Sequence, residues 1–185
     1  MCYGILISLF RFRHHFSQDI LKLIIQTHVF PHILYCLSVW GGATKAQLSR
    51  IQKIINFAAR IVTGTRRGDR IGPALQALGW HRVEQMVGAR DMAKVYKALR
   101  FESGPPAVRH MFIARAVVSR RATRASDAGV SHLTRCNLEL TKRSFRHRAA
   151  VSWNELPRSI TESVSLAAFN RAVSNDLERR AIRRI

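Results

Sequence analysis

Carboxylate side chains are the first residues to consider, because their spacing decides whether this sequence could hold catalytic metal ions. The chain has 185 residues, of which 11 are Asp or Glu, and no two of these acids are adjacent. Asp176 and Glu178 are the closest pair, but two positions apart on a predicted helix they point to different sides. Two-metal catalysis needs clustered carboxylates. We therefore predict that the chain on its own is not an enzyme.

Histidine and cysteine residues could contribute to a zinc site at one place, where Cys136 lies between His132 and His147. A fourth ligand at short spacing is absent, and the sequence contains no Cys-x2–4-Cys pattern. Cys36 lies in an apolar stretch and is expected to be an inert buried thiol. No glycine-rich loop ends in the Lys-Ser or Lys-Thr of a phosphate-binding motif. These patterns predict neither a metal ion nor a cofactor.

Positive charge is the strongest chemical feature of the sequence. The chain has 31 Lys or Arg, 25 of them Arg, and a formal net charge of +20. A planar guanidinium can donate two hydrogen bonds to one phosphate. Base composition alone could also produce an arginine excess, so the prediction depends on the total charge. That charge favours a polyanionic partner, RNA or DNA.

The densest positive charge lies in residues 113–148, where nine Lys or Arg are opposed only by Asp127 and Glu139. So few acids leave little internal pairing, and we predict phosphate contacts here in preference to a merely solvated charged surface. The predicted nucleic-acid-binding residues are Arg115, Arg120, Arg121, Arg124, Arg135, Lys142, Arg143, Arg146 and Arg148.

Most elements that would position these residues are predicted to be helices. Ser17 is expected to begin a helix that kinks or stops at Pro31, and the chain continues apolar from Ile33 to Trp40. Thr44 and Gln47 have the spacing of a capping box, and the helix they begin is expected to end at Gly64.

The second half of the chain has weaker helical patterns. Apolar spacing predicts a helix from Val83 to Leu99, and Ser165 is expected to begin the last one. One helical face is formed by Phe145, Ala149, Trp153 and Leu156, before Pro157. Apolar and polar residues alternate intermittently between Val130 and Leu140, so a short basic β-hairpin is an alternative for this segment. The predicted fold class is mainly α, a helical bundle with that hairpin as an option between the last helices.

Five segments occur in an order that is similar to a known protein family. They are THVFPHILYCLSVWG (27–41), LSRIQKIINFAARIVTG (48–64), LQALGWHRVEQ (75–85), VYKAL (95–99), and Phe145 with WNELP (153–157). This order resembles the region after the polymerase palm in reverse transcriptases of jockey-like and related non-LTR (LINE-type) retrotransposons. The residues assigned to the structural core on this basis and from helical spacing are Pro31, Tyr35, Trp40, Trp80, Phe145, Trp153, Leu156 and Pro157.

The resemblance implies a nucleic-acid-binding C-terminal segment of an RNA-directed DNA polymerase. In this reading residues 1–16 are a poorly matched stub, residues 17–104 a thumb-like helical subdomain, and residues 105–185 a basic subdomain ending in two helices. The implied partners are template RNA or target DNA and the palm of the same polypeptide. The catalytic Tyr-x-Asp-Asp of the family is absent, which suggests a fragment of a truncated transposable element. Its expected location is intracellular, and nuclear when part of an active element.

Two alternatives remain at this stage. The chain could be a structural scaffold, a relic whose helices pack on the palm without activity, or an unrelated small basic RNA-binding protein. Exposed apolar surface between Ile20 and Trp40 would favour the scaffold. Lys22, His28 and Pro31 interrupt this stretch, so we predict no membrane span. An odd number of cysteines argues against a secreted disulfide framework.

Overall fold

The computed structural model describes residues 2–101, 106–112 and 136–182. Regular structure in these ranges is helical, and none of the described residues forms a strand. The prediction of a mainly helical protein is confirmed. Most of the segment considered for a β-hairpin falls in residues 113–135, outside the described residues. Its described end, residues 136–140, contains no strand, and the short helix Glu139–Lys142 begins within it.

Twelve α-helices and one 3-10 turn occur in the described residues. Their bounds are α1 Cys2–Phe12, a 3-10 turn Arg13–His15, α2 Gln18–His28, α3 Phe30–Leu34, α4 Leu37–Trp40, α5 Lys45–Thr63, α6 Ile71–Leu78, α7 Val83–Arg100, α8 Pro106–Met111, α9 Glu139–Lys142, α10 Phe145–Asn154, α11 Arg158–Thr161 and α12 Leu166–Ile182. Contacts divide the chain into two compact units, Met1–Met86 and Val87–Ile185.

The division between the units falls inside α7. The predicted boundary was between residues 104 and 105. Those residues lie outside the described part of the chain. The units divide nearer the N-terminus than predicted because Met92, Val95 and Tyr96 belong to the apolar cluster of the second unit. The predicted functional division of the chain stays a prediction.

Local capping explains where the helices of the first unit begin and end. The Ser17 hydroxyl accepts a hydrogen bond from the Ile20 amide at 3.4 Å, which begins α2 as predicted. Thr44 and Gln47 form the predicted capping box at the start of α5. Gly64 ends α5 with a φ of 71°, a left-handed conformation that costs glycine no steric clash.

The core of the first unit is built around α5, which packs against α1, α2 and α6. Ile25, Ile55 and Ala59 are completely buried there. Trp80 is also buried, and its ring meets that of Phe30 edge to face, with the centroids 4.8 Å apart. Complete burial of an isoleucine side chain such as Ile25 or Ile55 stabilises the fold by roughly 1.5–3 kcal/mol.

Four expectations for residues 31–40 are wrong or only partly met. Pro31 is exposed at the start of α3, and Tyr35 is 76% exposed, so neither is a core residue. Cys36 is exposed at a φ of 49° and is not a buried thiol. A turn between α3 and α4 directs Tyr35 and Cys36 outward. Trp40 is half-buried, and its indole Nε1 donates to the Tyr35 carbonyl at 2.7 Å.

The core of the second unit is aromatic. The Tyr96 ring stacks on Phe169 with centroids 4.3 Å apart, and Trp153 lies 6.0 Å from the same ring. These three side chains are buried, whereas Phe145 and Leu156 are half-buried at the edge of the cluster. Pro157, predicted to be a core residue, is exposed at the N-cap position of α11.

None of the helices in the described residues has both the length and the apolar character that crossing a membrane requires.

Candidate nucleic-acid interface

Four of the nine predicted nucleic-acid-binding residues lie in the described part of the chain, and all four are on α9, α10 or the turn between them. These are Lys142, Arg143, Arg146 and Arg148. The other five lie in residues 113–135, outside the described residues, and stay predictions: Arg115, Arg120, Arg121, Arg124 and Arg135.

The turn between α9 and α10 is closed by a serine. The Ser144 hydroxyl donates to the Thr141 carbonyl at 2.6 Å, and its oxygen accepts from the His147 amide at 3.4 Å. The second contact is an N-cap, which satisfies one of the amides that a helix start leaves without an intrahelical partner. This turn therefore fixes where Lys142, Arg143 and Arg146 leave the backbone.

Lys142 is paired with a carboxylate on its own helix. Its ammonium lies 2.7 Å from the Glu139 carboxylate, and both side chains are well exposed to solvent. The hydrogen bond from Lys142 to Glu139, reinforced by the negative charge of that carboxylate, raises the lysine pKa above its usual value. Lys142 is therefore fully charged at neutral pH. Because exposed ion pairs contribute little to stability, a phosphate could replace this carboxylate.

Arg143 and Arg146 differ in how much of the side chain is available. Arg143 is half-buried, and its Nε donates to the Glu139 carbonyl at 3.4 Å. Arg146 is exposed, and within the described residues its guanidinium forms no ion pair. Arg146 is thus the described member of the predicted set that is most accessible to a phosphate.

Arg148 makes structural contacts within the second unit, and its role as a phosphate contact stays a prediction. Its Nε donates to the carboxylate of Asp91 at 2.6 Å, and Asp91 is completely buried in α7. Another guanidinium nitrogen donates to the Arg143 carbonyl at 2.8 Å. Arg148 therefore neutralises a buried charge and fixes the turn that carries Arg143. Only 19% of its side chain is exposed.

Asp91 is a residue that the sequence analysis missed, although a signal was present. Val87, Asp91 and Val95 are spaced by four residues along α7, and all three are buried. An acid on the apolar face of a helix needs a cationic or hydrogen-bonding partner, since a lone buried charge is very costly. The pattern could have indicated that one of the arginines was needed inside the protein.

Positive charge is not confined to the predicted segment. Residues 1–86 contain 11 Lys or Arg and three acids, a net charge of +8, and residues 87–185 contain 20 and eight, a net charge of +12. Each unit taken by itself is therefore strongly basic. The positive residues of the first unit can therefore attract the same polyanion.

Metal-binding groups do not come together in the part of the chain that the structure describes. No three His, Cys, Asp or Glu side chains lie close enough there to hold an ion. Cys136 and His147 are both half-buried, and His132 lies outside the described residues. Nothing in the described geometry adds a ligand to the zinc candidate considered from the sequence.

Comparison of the chain with protein-family models, with curated proteins and with solved structures finds no match in any of the three.

Proposed function

We propose that the chain binds nucleic acid through the phosphate backbone, with Lys142, Arg143 and Arg146 as part of the contact. The observation that carries the proposal is the charge of the described ranges, which contain 24 Lys or Arg against nine Asp or Glu. A positive field of this strength attracts polyanions over about a Debye length, roughly 8–10 Å at physiological salt. Phosphate contacts of this kind release condensed counterions and read little sequence.

The turn between α9 and α10 gives the contact its geometry. Arg148 anchors the turn from the protein side, through Asp91 and the Arg143 carbonyl. Arg143 on the turn, with Lys142 and Arg146 on the helices beside it, can then meet adjacent phosphates while the backbone stays in place. Arg148 acts here as a positioning residue and touches no phosphate in this mechanism.

The biological setting that we propose is the C-terminal part of a LINE-type retrotransposon reverse transcriptase. Five ordered sequence segments and the predominance of helices support it. In that setting the partners would be template RNA or target DNA, together with the polymerase palm of the same polypeptide, and the location would be nuclear. The chain would contribute binding, and the chemistry of polymerisation would belong to the palm.

The test is a salt titration of binding by the full chain to labelled duplexes of unrelated sequence. A variant with Lys142, Arg143 and Arg146 all changed to Gln should reduce the slope of log K against log salt by about one for each lost phosphate contact. The matched control changes Arg90, Lys97 and Arg171 to Gln, since all three are exposed cations of the same unit. Absence of binding by the wild-type chain, or equal losses in both variants, would contradict the proposal.

A second candidate function is a scaffold that packs on another protein. Nine of the 15 large exposed hydrophobic side chains in the described residues fall in α1–α4 and the turns between them: Tyr3, Ile7, Phe10, Phe12, Phe16, Ile20, Leu23, Tyr35 and Val39. Apolar residues concentrated in this way are typical of protein contact surfaces. Changing Tyr35 and Val39 to Gln should leave nucleic-acid affinity unchanged and reduce self-association of the isolated chain, measured by sedimentation.

A further inference from the structure

The loop between α5 and α6 in the first unit is basic and ordered by one arginine of α5. Arg60 donates from Nε to the Arg66 carbonyl at 3.2 Å, and from a terminal nitrogen to the carbonyls of Arg67 and Asp69 at 3.4 Å each. With these three hydrogen bonds the Arg60 guanidinium holds the loop backbone against α5, and Arg60 is called the clamp of the loop below. The conformation of the loop therefore depends on a residue outside it.

The loop is also closed by its own acid. The Asp69 carboxylate accepts a hydrogen bond from the Arg66 amide at 2.9 Å, and the Asp69 amide donates to the Arg66 carbonyl at 3.2 Å. Reciprocal contacts across four residues define a tight turn, with Arg67 and Gly68 at its tip. The one negative charge of the loop is thus used to hold the backbone.

The arginine side chains of this turn remain on the surface. Arg66, Arg67 and Arg70 are all exposed, and within the described residues none of their guanidinium groups makes an ion pair. Helix α6 begins directly after Arg70, and no side chain caps its first turn. The positive end of that helix adds to the potential beside Arg70.

We propose that this arginine loop, residues 66–70 with Arg60 as its clamp, is a second binding site for the phosphodiester backbone of nucleic acid. The site rests on the proposed function, and it assigns a specific contact in the first unit to the same class of ligand. Three guanidinium groups on one fixed turn offer paired donors to consecutive phosphates, with less loss of side-chain and loop freedom than an unordered loop would incur. Arg60 is a positioning residue in this site.

The experiment measures the salt dependence of duplex binding by two triple variants of the full chain. One changes Arg66, Arg67 and Arg70 to Gln. The other changes Lys45, Arg50 and Lys53 to Gln, which are exposed cations of α5 in the same unit. The loop variant should reduce the slope of log K against log salt by roughly two to three, and the α5 variant by less than about one.

Each outcome of that experiment decides a different question. Equal losses from the two triple variants would overturn the loop site and leave the proposed function standing, because the field of the whole protein would then explain binding. Absence of binding by the wild-type chain would overturn the proposed function and the loop site together. A loss confined to the Lys142, Arg143 and Arg146 variant would overturn the loop site alone.

A second pair of variants distinguishes the effect of the Arg60 hydrogen bonds on loop conformation from the effect of positive charge. Arg60→Lys keeps the positive charge but loses the planar fork that reaches several carbonyls. Because it removes no phosphate contact, it should weaken duplex binding at a fixed salt concentration and leave the salt slope nearly unchanged. Arg50→Lys, at an exposed position of the same helix, should have no measurable effect. Circular dichroism and thermal unfolding would establish that both variants are folded. Wild-type binding by a folded Arg60→Lys variant would overturn the role of the clamp and with it the proposal.

Discussion

The arginine loop and the turn between α9 and α10 are two basic regions, each held in place by one arginine. The two arginines differ in the groups that accept their hydrogen bonds. In each, one arginine of an adjoining helix contacts the protein while neighbouring cations remain at the surface. Arg60 donates only to neutral backbone carbonyls, at 3.2 to 3.4 Å. Arg148 donates to the buried carboxylate of Asp91 at 2.6 Å and to one carbonyl at 2.8 Å.

This difference decides what each anchor contributes. A backbone carbonyl that loses a guanidinium near the surface can be hydrated by water, so Arg60 organises its loop without being needed for the core. A carboxylate inside an apolar cluster has no such replacement, and Arg148 therefore stabilises the second unit itself. Counting cations along the sequence cannot distinguish these roles, because the acceptor of each guanidinium is set by tertiary packing.

The largest expected effect follows from breaking the anchor in the second unit. Arg148→Met leaves Asp91 as a buried charge without its arginine, and the free energy of unfolding should fall by roughly 3–5 kcal/mol in urea denaturation. Adding Asp91→Leu to that variant removes the buried carboxylate and should restore a large part of the lost free energy of unfolding. Arg146→Met, two positions away and exposed, should change stability by less than about 0.5 kcal/mol. Similar losses from the Arg146 and Arg148 variants would remove the distinction between anchor and surface cation.

A smaller effect should come from the acid that closes the arginine loop. Asp69→Asn and Asp69→Ala both remove one negative charge, but only asparagine keeps an oxygen that can accept from the Arg66 amide. The asparagine variant should bind duplex about twofold more tightly than wild type, through the local gain in positive potential. The alanine variant should bind more weakly than the asparagine variant because the turn is no longer closed. Identical affinities, measured by anisotropy, would show that charge alone acts there.

Local signals in the sequence predicted much of the first unit. The cap at Ser17, the capping box at Thr44 and the end of α5 at Gly64 all depend on residues within a few positions, and the structure confirms them. Tyr35 was assigned wrongly because its position depends on a turn whose direction no short pattern specifies. Periodicity reports which residues could share a helix face, and burial of that face also requires a partner element.

The candidate site shows the same limit more clearly. Local charge density pointed to Lys142 and Arg146, which are exposed beside the short turn, and to Arg143, which is half-buried on it. It could not separate Arg148 from them, since Asp91 lies 57 residues earlier in the chain. The contacts that Arg60 and Asp69 make with the loop span at most nine residues along the chain. Reading the cation in the last turn of α5 as a cap for the following loop would have identified that clamp.

The smallest expected effect tests whether the Lys142 and Glu139 pair competes with phosphate. Glu139→Gln removes the carboxylate that a phosphate must displace from Lys142. Duplex affinity should therefore rise, with little change in the salt slope, because Lys142 is already part of the proposed contact. Glu139 raises the lysine pKa. Losing it therefore returns that pKa toward its usual range and leaves Lys142 protonated between about pH 6 and pH 9. The gain must then come from the freed ammonium and not from a change in its protonation.

The control for this prediction is Glu162→Gln, an exposed acid of the same unit outside α9 and α10. Both substitutions change the net charge by the same amount, so a general field effect would tighten binding equally. A larger gain for Glu139→Gln, constant over that pH range, would show that phosphate and carboxylate compete for Lys142 at the turn. Equal gains would mean that this turn contributes only to the overall field, which would leave the arginine loop as the one localised contact among the described residues.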